Sequence, residues 1–231
     1  GTTVAFHYTT TVNNYLDADT YKIIKGDSDE DTEYFKSDFT SDEERESYEA
    51  ELCAQVEAEG AALLKNDNNA LPLASGAKVS LFGHGSVDLM YGGTGSGSVD
   101  TSKAPNFKQA LEDQGIQVNS TLWDLYSSDD MMKNYSRITP AAISDTLEAN
   151  TQYAVNEASW SKLSSAESSF ADYGDAAVVV FSRSGGEGAD LSYGEVNYLA
   201  LDDNEKEMLQ NVAEMKKNGI VKKTIVLINS A

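Results

Sequence analysis

The sequence predicts an α/β fold, a layered α/β/α sandwich with a mostly parallel sheet, together with an acidic N-terminal arm. Short apolar strands alternate along the chain with amphipathic helices, which is the pattern of parallel β-α units. Two of the strands are followed by glycine-rich loops, and open α/β sheets place their ligands in such loops. The chain has 231 residues, which is enough for one large domain and an arm.

We assign residues 1–40 to the arm and residues 41–231 to the domain. The arm is polar and acidic, with scattered aromatic side chains. The segment Ser41-Asp42-Glu43-Glu44 is a capping box, so it predicts the start of a helix. We expect this helix to stop at Gly60, because glycine is a common residue just beyond a helix.

The other predicted elements follow from runs of apolar residues bounded by turn residues. We predict strands at 61–65, 78–83, 116–118, 176–182 and 223–229. We predict helices at 106–114, 140–150 and 203–218. The polar stretch 120–172 is interpreted as an insertion or as peripheral helices.

The composition excludes several classes of partner. The chain carries 38 acidic and 17 basic residues, a formal net charge of −21. Such a surface repels phosphates, so nucleic acid is not an expected partner, whereas a neutral ligand is compatible. The sequence has no apolar run of about 18 residues, so we expect no membrane contact from this segment. The single cysteine, Cys53, excludes an intrachain disulfide and is expected in the core face of the first helix. With only two histidines besides, we predict neither a metal nor a cofactor.

The most informative stretch is Phe181–Asp190, which follows the apolar strand and contains three glycines and one glutamate, Glu187. Glycines let the backbone turn sharply and approach a ligand closely. Glu187 is therefore a candidate general acid, a role that needs a pKa raised by burial or by a second carboxylate such as Asp190. Two structural interpretations stay open. The glycines form only a turn with Glu187 in solvent, or Arg183 pairs with Asp190.

The other glycine-rich loop, 92–97, has three interpretations. Its Gly93-Thr94-Gly95-Ser96-Gly97 does not fit the GxGxxG fingerprint and starts nine residues beyond its strand, so nucleotide binding is disfavoured. The loop is otherwise a flexible surface segment, or it lines a pocket together with the Glu187 loop. Parallel strands would place both loops at the same edge of the sheet.

Four motifs, in order and in register, resemble glycoside hydrolase family three. The family's signatures are EG(x)VLLKN(D/E)…LPL, a strand with a GGxGSG loop, (S)R-x-SGEG-x-DR, and L-x-L-x-x-x-E/Q-x-x-L-L with a further strand. The similar segments here are Glu59–Asp67 with Leu71-Pro72-Leu73, 78–83 with 92–97, Ser182–Asp190, and Leu199–Leu209 with 223–229. Together they cover residues 59–231, the α/β sandwich domain of that family.

The resemblance implies specific site residues. The family's two-domain members are retaining β-glycosidases, in which an aspartate of a (β/α)8 barrel is the nucleophile and a glutamate of the sandwich domain is the general acid/base. By this resemblance Glu187 is the catalytic residue. The substrate-binding residues are Gly95, Ser96, Gly97, Arg183 and Asp190. The chain departs from the family motif at Leu191, where the family has arginine, and at Ser184-Gly185.

A barrel takes about 250 residues, so the chain has no room for one beside the sandwich. An acidic arm precedes the sandwich, which resembles permuted bacterial members of the family that have the sandwich first. Because the chain stops at Ala231, directly after a predicted strand, we expect the domain to continue beyond it.

We therefore expect the sandwich domain of a secreted or cell-surface β-glucosidase-like enzyme, with a cytoplasmic location as the alternative. Its substrate would be an oligosaccharide or β-glycoside, bound together with a barrel domain outside this chain. The isolated chain should be inactive, because half of the carboxylate pair is missing. Two other classes stay open: a non-catalytic glycan-binding or structural module, which Leu191 favours, and an unrelated α/β domain for a nucleotide or metabolite.

Overall fold

The computed structural model describes residue 8 and residues 37–92, 101–102, 104–135, 156–183 and 199–230. These residues divide between two compact units, the first ending at Leu63 and the second beginning at Leu64. The predicted helix 140–150 and nearly all of the predicted arm lie outside the described residues. In the described ranges, every helix is too short or too polar to span a bilayer.

The first unit contains helix α1, Asp42–Gly60, as the capping box predicts. The Ser41 hydroxyl accepts a hydrogen bond from the backbone N–H of Glu44, and the Glu44 carboxylate accepts one from the N–H of Thr40 at 2.7 Å. No residue of α1 is buried. The prediction that Cys53 lies in a core is therefore wrong: its side chain is exposed, because the two large apolar residues beside it make no buried face.

The second unit is built on a parallel sheet with the strand order β2-β1-β3-β4 among the described residues. The strands are β1 Lys78–Phe82, β2 Gln117–Val118, β3 Ala176–Arg183 and β4 Thr224–Ser230. Four of the five predicted strands are confirmed. The strand predicted at 61–65 is wrong, because these residues form no ladder and the side chains of Leu63 and Leu64 are exposed.

Helices of the second unit begin at side chains that accept hydrogen bonds from their first turns, as Asn, Asp and Ser commonly do. Asn106, Asn119 and Asp202 cap three of them. The described helices are α2 Phe107–Asp113, α3 Ser120–Tyr126, α4 Asp129–Tyr135 and α5 Asp203–Lys217. Short 3-10 turns follow between 160 and 173, so the described part of 120–172 is largely helical, as predicted. Its interpretation as an insertion or as peripheral helices is wrong, because Leu122, Leu163 and Phe170 are buried in the core.

At the central strands β1 and β3, both faces of the sheet are covered, which confirms the predicted α/β fold, whereas Val226, Leu227 and Ile228 of β4 are exposed. Alternate residues of β3 point to opposite faces: Val179 packs in one apolar cluster, and Val178 in the other. Helix α5 contributes Met208 and Val212 to the first cluster, whereas Leu111 of α2 packs against the second. A strand covered on both faces needs apolar side chains in both directions, which explains its unbroken apolar sequence.

Two glycines let the chain after β1 pack closely on β3. Gly83 has φ +91°, and a Cβ atom there would lie 2.5 Å from the carbonyl oxygen of Val180. At Gly85 a Cβ atom would lie 2.9 Å from both that oxygen and the Ser182 hydroxyl. Neither position has room for a side chain, so the turn after β1 is specified by glycine.

Replacing Gly83 with alanine should destabilise the fold, because it adds both backbone strain and a collision with Val180. We expect a loss of more than about 1–3 kcal/mol, the usual cost of the strained conformation alone. Urea unfolding of this chain measures the loss. Gly219→Ala is the matched control, since Gly219 has φ +74° with nothing within 4 Å of an added Cβ. Equal losses in the two variants would contradict the close approach.

Candidate functional site

The candidate site lies at the carboxyl edge of the sheet. Strand β1 pairs in parallel with β3, and β3 pairs in parallel with β4. The segment after β1 and the segment after β3 therefore leave from the same edge, as predicted from the sequence. The candidate residues Glu187, Asp190 and Gly95-Ser96-Gly97 themselves lie outside the described residues. What the structure describes is the scaffold from which their loops start.

Hydrogen bonds to three buried side chains hold the segment after β1 in place. The phenol oxygen of Tyr126 accepts a hydrogen bond from the N–H of Gly83 at 3.1 Å. The Ser86 hydroxyl donates to the carbonyl of Gly83 at 2.7 Å. The carboxylate of Glu157 accepts from the N–H of His84 at 2.7 Å. All of these side chains are buried, so the turn 83–86 has a fixed position above β3.

Asn229, near the end of β4, bonds to the end of β3 and to the segment that follows β1. Its Oδ1 accepts from the N–H of Met90 at 2.6 Å and from the Ser182 hydroxyl at 3.1 Å. Its Nδ2 donates to the carbonyl of Met90 at 3.1 Å. The sequence pattern predicts Asn229 only as a residue of the strand 223–229. A polar residue directly after the apolar run 225–228 is the signal that could have identified it.

Arg183 is the last residue of β3, and its guanidinium forms a buried ion pair with Glu205. Its two terminal nitrogens donate to the two Glu205 oxygens at 2.8 and 2.7 Å. The same Nη2 donates to the carbonyl of Ala200 at 3.0 Å. Since residues 184–198 connect Arg183 to Leu199, this contact joins the two ends of the segment that carries Glu187. The substrate-binding role predicted for Arg183 stays a prediction.

Glu205 also starts helix α5. Its carboxylate accepts from the N–H of Asp202 at 2.9 Å, and the Asp202 carboxylate accepts from the N–H of Glu205 at 2.7 Å, a capping box. The negative charge lies near the positive end of the helix, which stabilises it further. One buried carboxylate therefore fixes both the end of β3 and the start of α5.

Glu157 is a second buried carboxyl group at this edge. Its oxygens accept from the N–H groups of His84 and Ala158 at 2.7 and 3.0 Å. Burial raises the pKa of Glu157, the backbone N–H groups of His84 and Ala158 oppose this rise, and the nearby carboxylates of Glu205 and Asp202 add to it, so that the pKa is about 8. Glu157 is therefore mainly protonated at neutral pH. Its hydrogen bonds to the N–H groups of His84 and Ala158 hold the turn after β1 in place.

Among the described residues, no group of three or more His, Cys, Asp or Glu side chains is placed to hold a metal ion. The side chains at the described edge are instead amides, hydroxyls and carboxyl groups with partners in the protein. Such a scaffold can hold two loops at a fixed separation. A carboxyl group on one of them can then donate or accept a proton at a bound ligand.

Comparison with known proteins points to one family. Residues 61–231 match the model of the Glycosyl hydrolase family 3 C-terminal domain. A stretch of 61 residues is 44% identical to Beta-glucosidase A of Butyrivibrio fibrisolvens, covering 26% of this chain and 7% of that protein.

Solved structures with the same fold are also β-glucosidases. The structure of β-glucosidase 3B from Thermotoga neapolitana in complex with glucose matches with a TM-score of 0.62 and 27% identity, over 80% of this chain and 24% of that chain. A β-glucosidase from Paenibacillus barengoltzii matches with a TM-score of 0.60 and 27% identity, over 78% of this chain and 18% of that chain. The chain thus spans a quarter or less of the length of these relatives.

The raised pKa of the buried Glu157 carboxyl group predicts a pH dependence of stability. Its pKa in the folded chain, about 8, exceeds the ordinary value of 4.5, so the folded state binds the proton more tightly. Stability should therefore fall as the pH rises from about 4.5 to about 8. Glu157→Gln should flatten this fall, because the amide is neutral throughout. Urea unfolding of both chains across this pH range measures the difference, with Glu167→Gln, at an exposed glutamate, as the control. Parallel curves for wild type and Glu157→Gln would contradict the assignment.

The ion pair predicts strong coupling between Arg183 and Glu205. Arg183→Met should cost about 3–5 kcal/mol, because it leaves a buried carboxylate without its cation. Combining it with Glu205→Gln should restore part of that loss, since glutamine is neutral and can keep the capping box. A double-mutant cycle by urea unfolding measures the coupling. Additive losses would show that the pair is not formed.

Proposed function

The chain belongs to the glycosyl hydrolase family 3 C-terminal domain family, and we propose that it supplies the general acid/base to a retaining β-glycosidase. The acid/base is Glu187. The nucleophile is an aspartate of a (β/α)8 barrel domain outside this chain. The substrate is an oligosaccharide or other β-glycoside with a terminal β-linked sugar.

One observation carries this proposal. Strands β1 and β3 are adjacent and parallel, so the segment leading to Gly95-Ser96-Gly97 and the segment leading to Glu187 start side by side at one edge. Open α/β sheets bind ligands at this edge. The relatives support the sugar class, since one is described in complex with glucose.

The proposed chemistry has two steps. Glu187, protonated at the start, gives its proton to the glycosidic oxygen as the bond to the sugar breaks and the barrel aspartate becomes bonded to the sugar. The resulting Glu187 carboxylate then takes a proton from a water molecule, which releases the sugar from the aspartate. Gly95, Ser96, Gly97, Arg183 and Asp190 line the sugar site in this proposal.

Two further parts of the proposal concern the whole protein. The permuted order, with the sandwich before the barrel, is proposed from the acidic segment that precedes residue 61. Secretion or attachment at the cell surface is proposed because the acidic surface, with a net charge of −21, keeps such a protein soluble. Fractionation of the producing cells, with detection in the medium or on the surface, tests the location.

A non-catalytic glycan-binding or structural role is the second candidate. Leu191 favours it, because the family motif has arginine at this position. Under this alternative the full-length protein would bind sugar, but replacing Glu187 would leave the rate of hydrolysis unchanged.

Kinetics of the full-length protein test the proposed role of Glu187. For Glu187→Ala, we expect kcat/KM to fall by about 10²–10⁴-fold on an aryl β-glucoside with a poor leaving group, which needs protonation. The fall should be much smaller on one with a good leaving group. Azide should restore turnover of the good-leaving-group glucoside and give a β-glycosyl azide, because azide, unlike water, attacks without the help of a general base.

Glu167→Ala, at an exposed glutamate of the same domain, is the control and should keep the wild-type rates on both substrates. Similar small losses on both substrates for Glu187→Ala, without azide rescue, would favour the non-catalytic alternative. The isolated 231-residue chain should show no turnover, because it lacks the nucleophile.

A further inference from the structure

The side chain of Asn229 makes hydrogen bonds that the pairing of the strands does not require. It lies on β4, which pairs with β3 and not with β1 in the described sheet. Yet its side chain forms two hydrogen bonds to one backbone residue of the segment after β1, donating to the carbonyl of Met90 and accepting from its N–H. The Asn229 amide thus makes the two hydrogen bonds to the Met90 backbone that a neighbouring strand would otherwise make.

The same amide contacts the end of β3. Asn229 and Ser182 are paired across the β3–β4 ladder, and the Ser182 hydroxyl donates to the Asn229 Oδ1 at 3.1 Å. One planar group therefore joins the ends of β3 and β4 to the segment that follows β1. Because Asn229 and Met90 are partly buried, loss of these bonds would leave polar groups poorly solvated.

The asparagine amide supplies all three contacts. The site needs an acceptor for the Met90 N–H and the Ser182 hydroxyl, and a donor for the Met90 carbonyl. Aspartate keeps the acceptor but loses the donor and adds a charge facing a carbonyl oxygen. Leucine has a similar volume but makes no hydrogen bond.

The positions of Met90 and Ser182 along the chain indicate what the contacts of Asn229 could do for the reaction. Met90 lies two residues before Gly92, where the glycine loop begins, and Ser182 lies five residues before Glu187. We propose that Asn229 is a positioning residue for the hydrolytic reaction, fixing the base of the glycine loop relative to the base of the Glu187 loop. This inference rests on the proposed function of Glu187.

If Asn229 is lost, both loops remain in the protein but the acid is displaced from the glycosidic oxygen. A misplacement of about 1 Å can cost about 10²-fold in rate. The loss should be greatest where protonation matters most. The diagnostic quantity is the ratio of kcat/KM on a poor-leaving-group aryl β-glucoside to kcat/KM on a good one, because this ratio does not depend on the fraction of folded enzyme.

The experiment measures this ratio in the full-length protein for Asn229→Asp, Asn229→Leu and Ser182→Ala. We expect the ratio to fall about tenfold or more in the two Asn229 variants. Ser182→Ala, which removes one hydrogen bond and leaves the Met90 pair, should give a smaller fall. Its mild change keeps the test available if Asn229→Leu does not fold.

Asn211→Leu is the matched control. Asn211 is also a partly buried asparagine with a side-chain bond to a backbone carbonyl, that of Glu207 within helix α5. This variant should lose comparable thermal stability but keep the wild-type ratio. A merely structural role for Asn229 would likewise lower stability and leave the ratio unchanged, which would overturn the inference.

The Glu187→Ala result separates the two levels of the proposal. If that variant shows the leaving-group signature and azide rescue while the Asn229 and Ser182 variants keep the wild-type ratio, the positioning role is wrong and the acid/base role stands. If Glu187→Ala lacks the signature, the proposed function is wrong, and the positioning role is overturned with it.

Discussion

Strand β3 is the constraint on which the rest of the structure depends. All eight of its residues are buried, and it pairs with β1 on one side and β4 on the other. A strand in this place must have apolar side chains on both faces, with its backbone groups paired along the ladders. The glycine turn after β1, the cover of helix α5 and the position of the candidate site all follow from the shape of this strand.

The end of β3 is polar, and residues of other elements supply the partners that its buried side chains need. Ser182 and Arg183 are buried although both are polar, so each needs partners inside the protein. Glu205 supplies a carboxylate for the guanidinium, and Asn229 accepts from the hydroxyl. The same two partners also hold the start of α5 and the segment after β1. Glu205 and Asn229 therefore offset the cost of burying the polar end of β3, and they also position the segments that lead to the two loops.

Two buried glutamates show two ways to remove a carboxylate from water. Glu205 lies against the Arg183 guanidinium in a two-pronged ion pair, which offsets the cost of burying its carboxylate. Glu157 instead accepts hydrogen bonds from two backbone N–H groups and is stabilised in the protonated form, with a pKa raised mainly by burial to about 8. In a chain with a formal net charge of −21, interior carboxyl groups need such local solutions, since the overall field favours protonation.

The sequence by itself determined the α/β class, four of the strands and the common edge of the two loops, because apolar runs and glycine turns are local signals. It also identified the family through its motifs. The predictions of a core position for Cys53 and of a strand at 61–65 were wrong, since the exposure of a side chain depends on what packs against its face of the element. The sequence did not reveal the roles of Glu157, Glu205 and Asn229. Glu205 pairs with Arg183 22 residues away, Glu157 with His84 73 residues away, and Asn229 with Met90 139 residues away, so only tertiary structure brings these partners together.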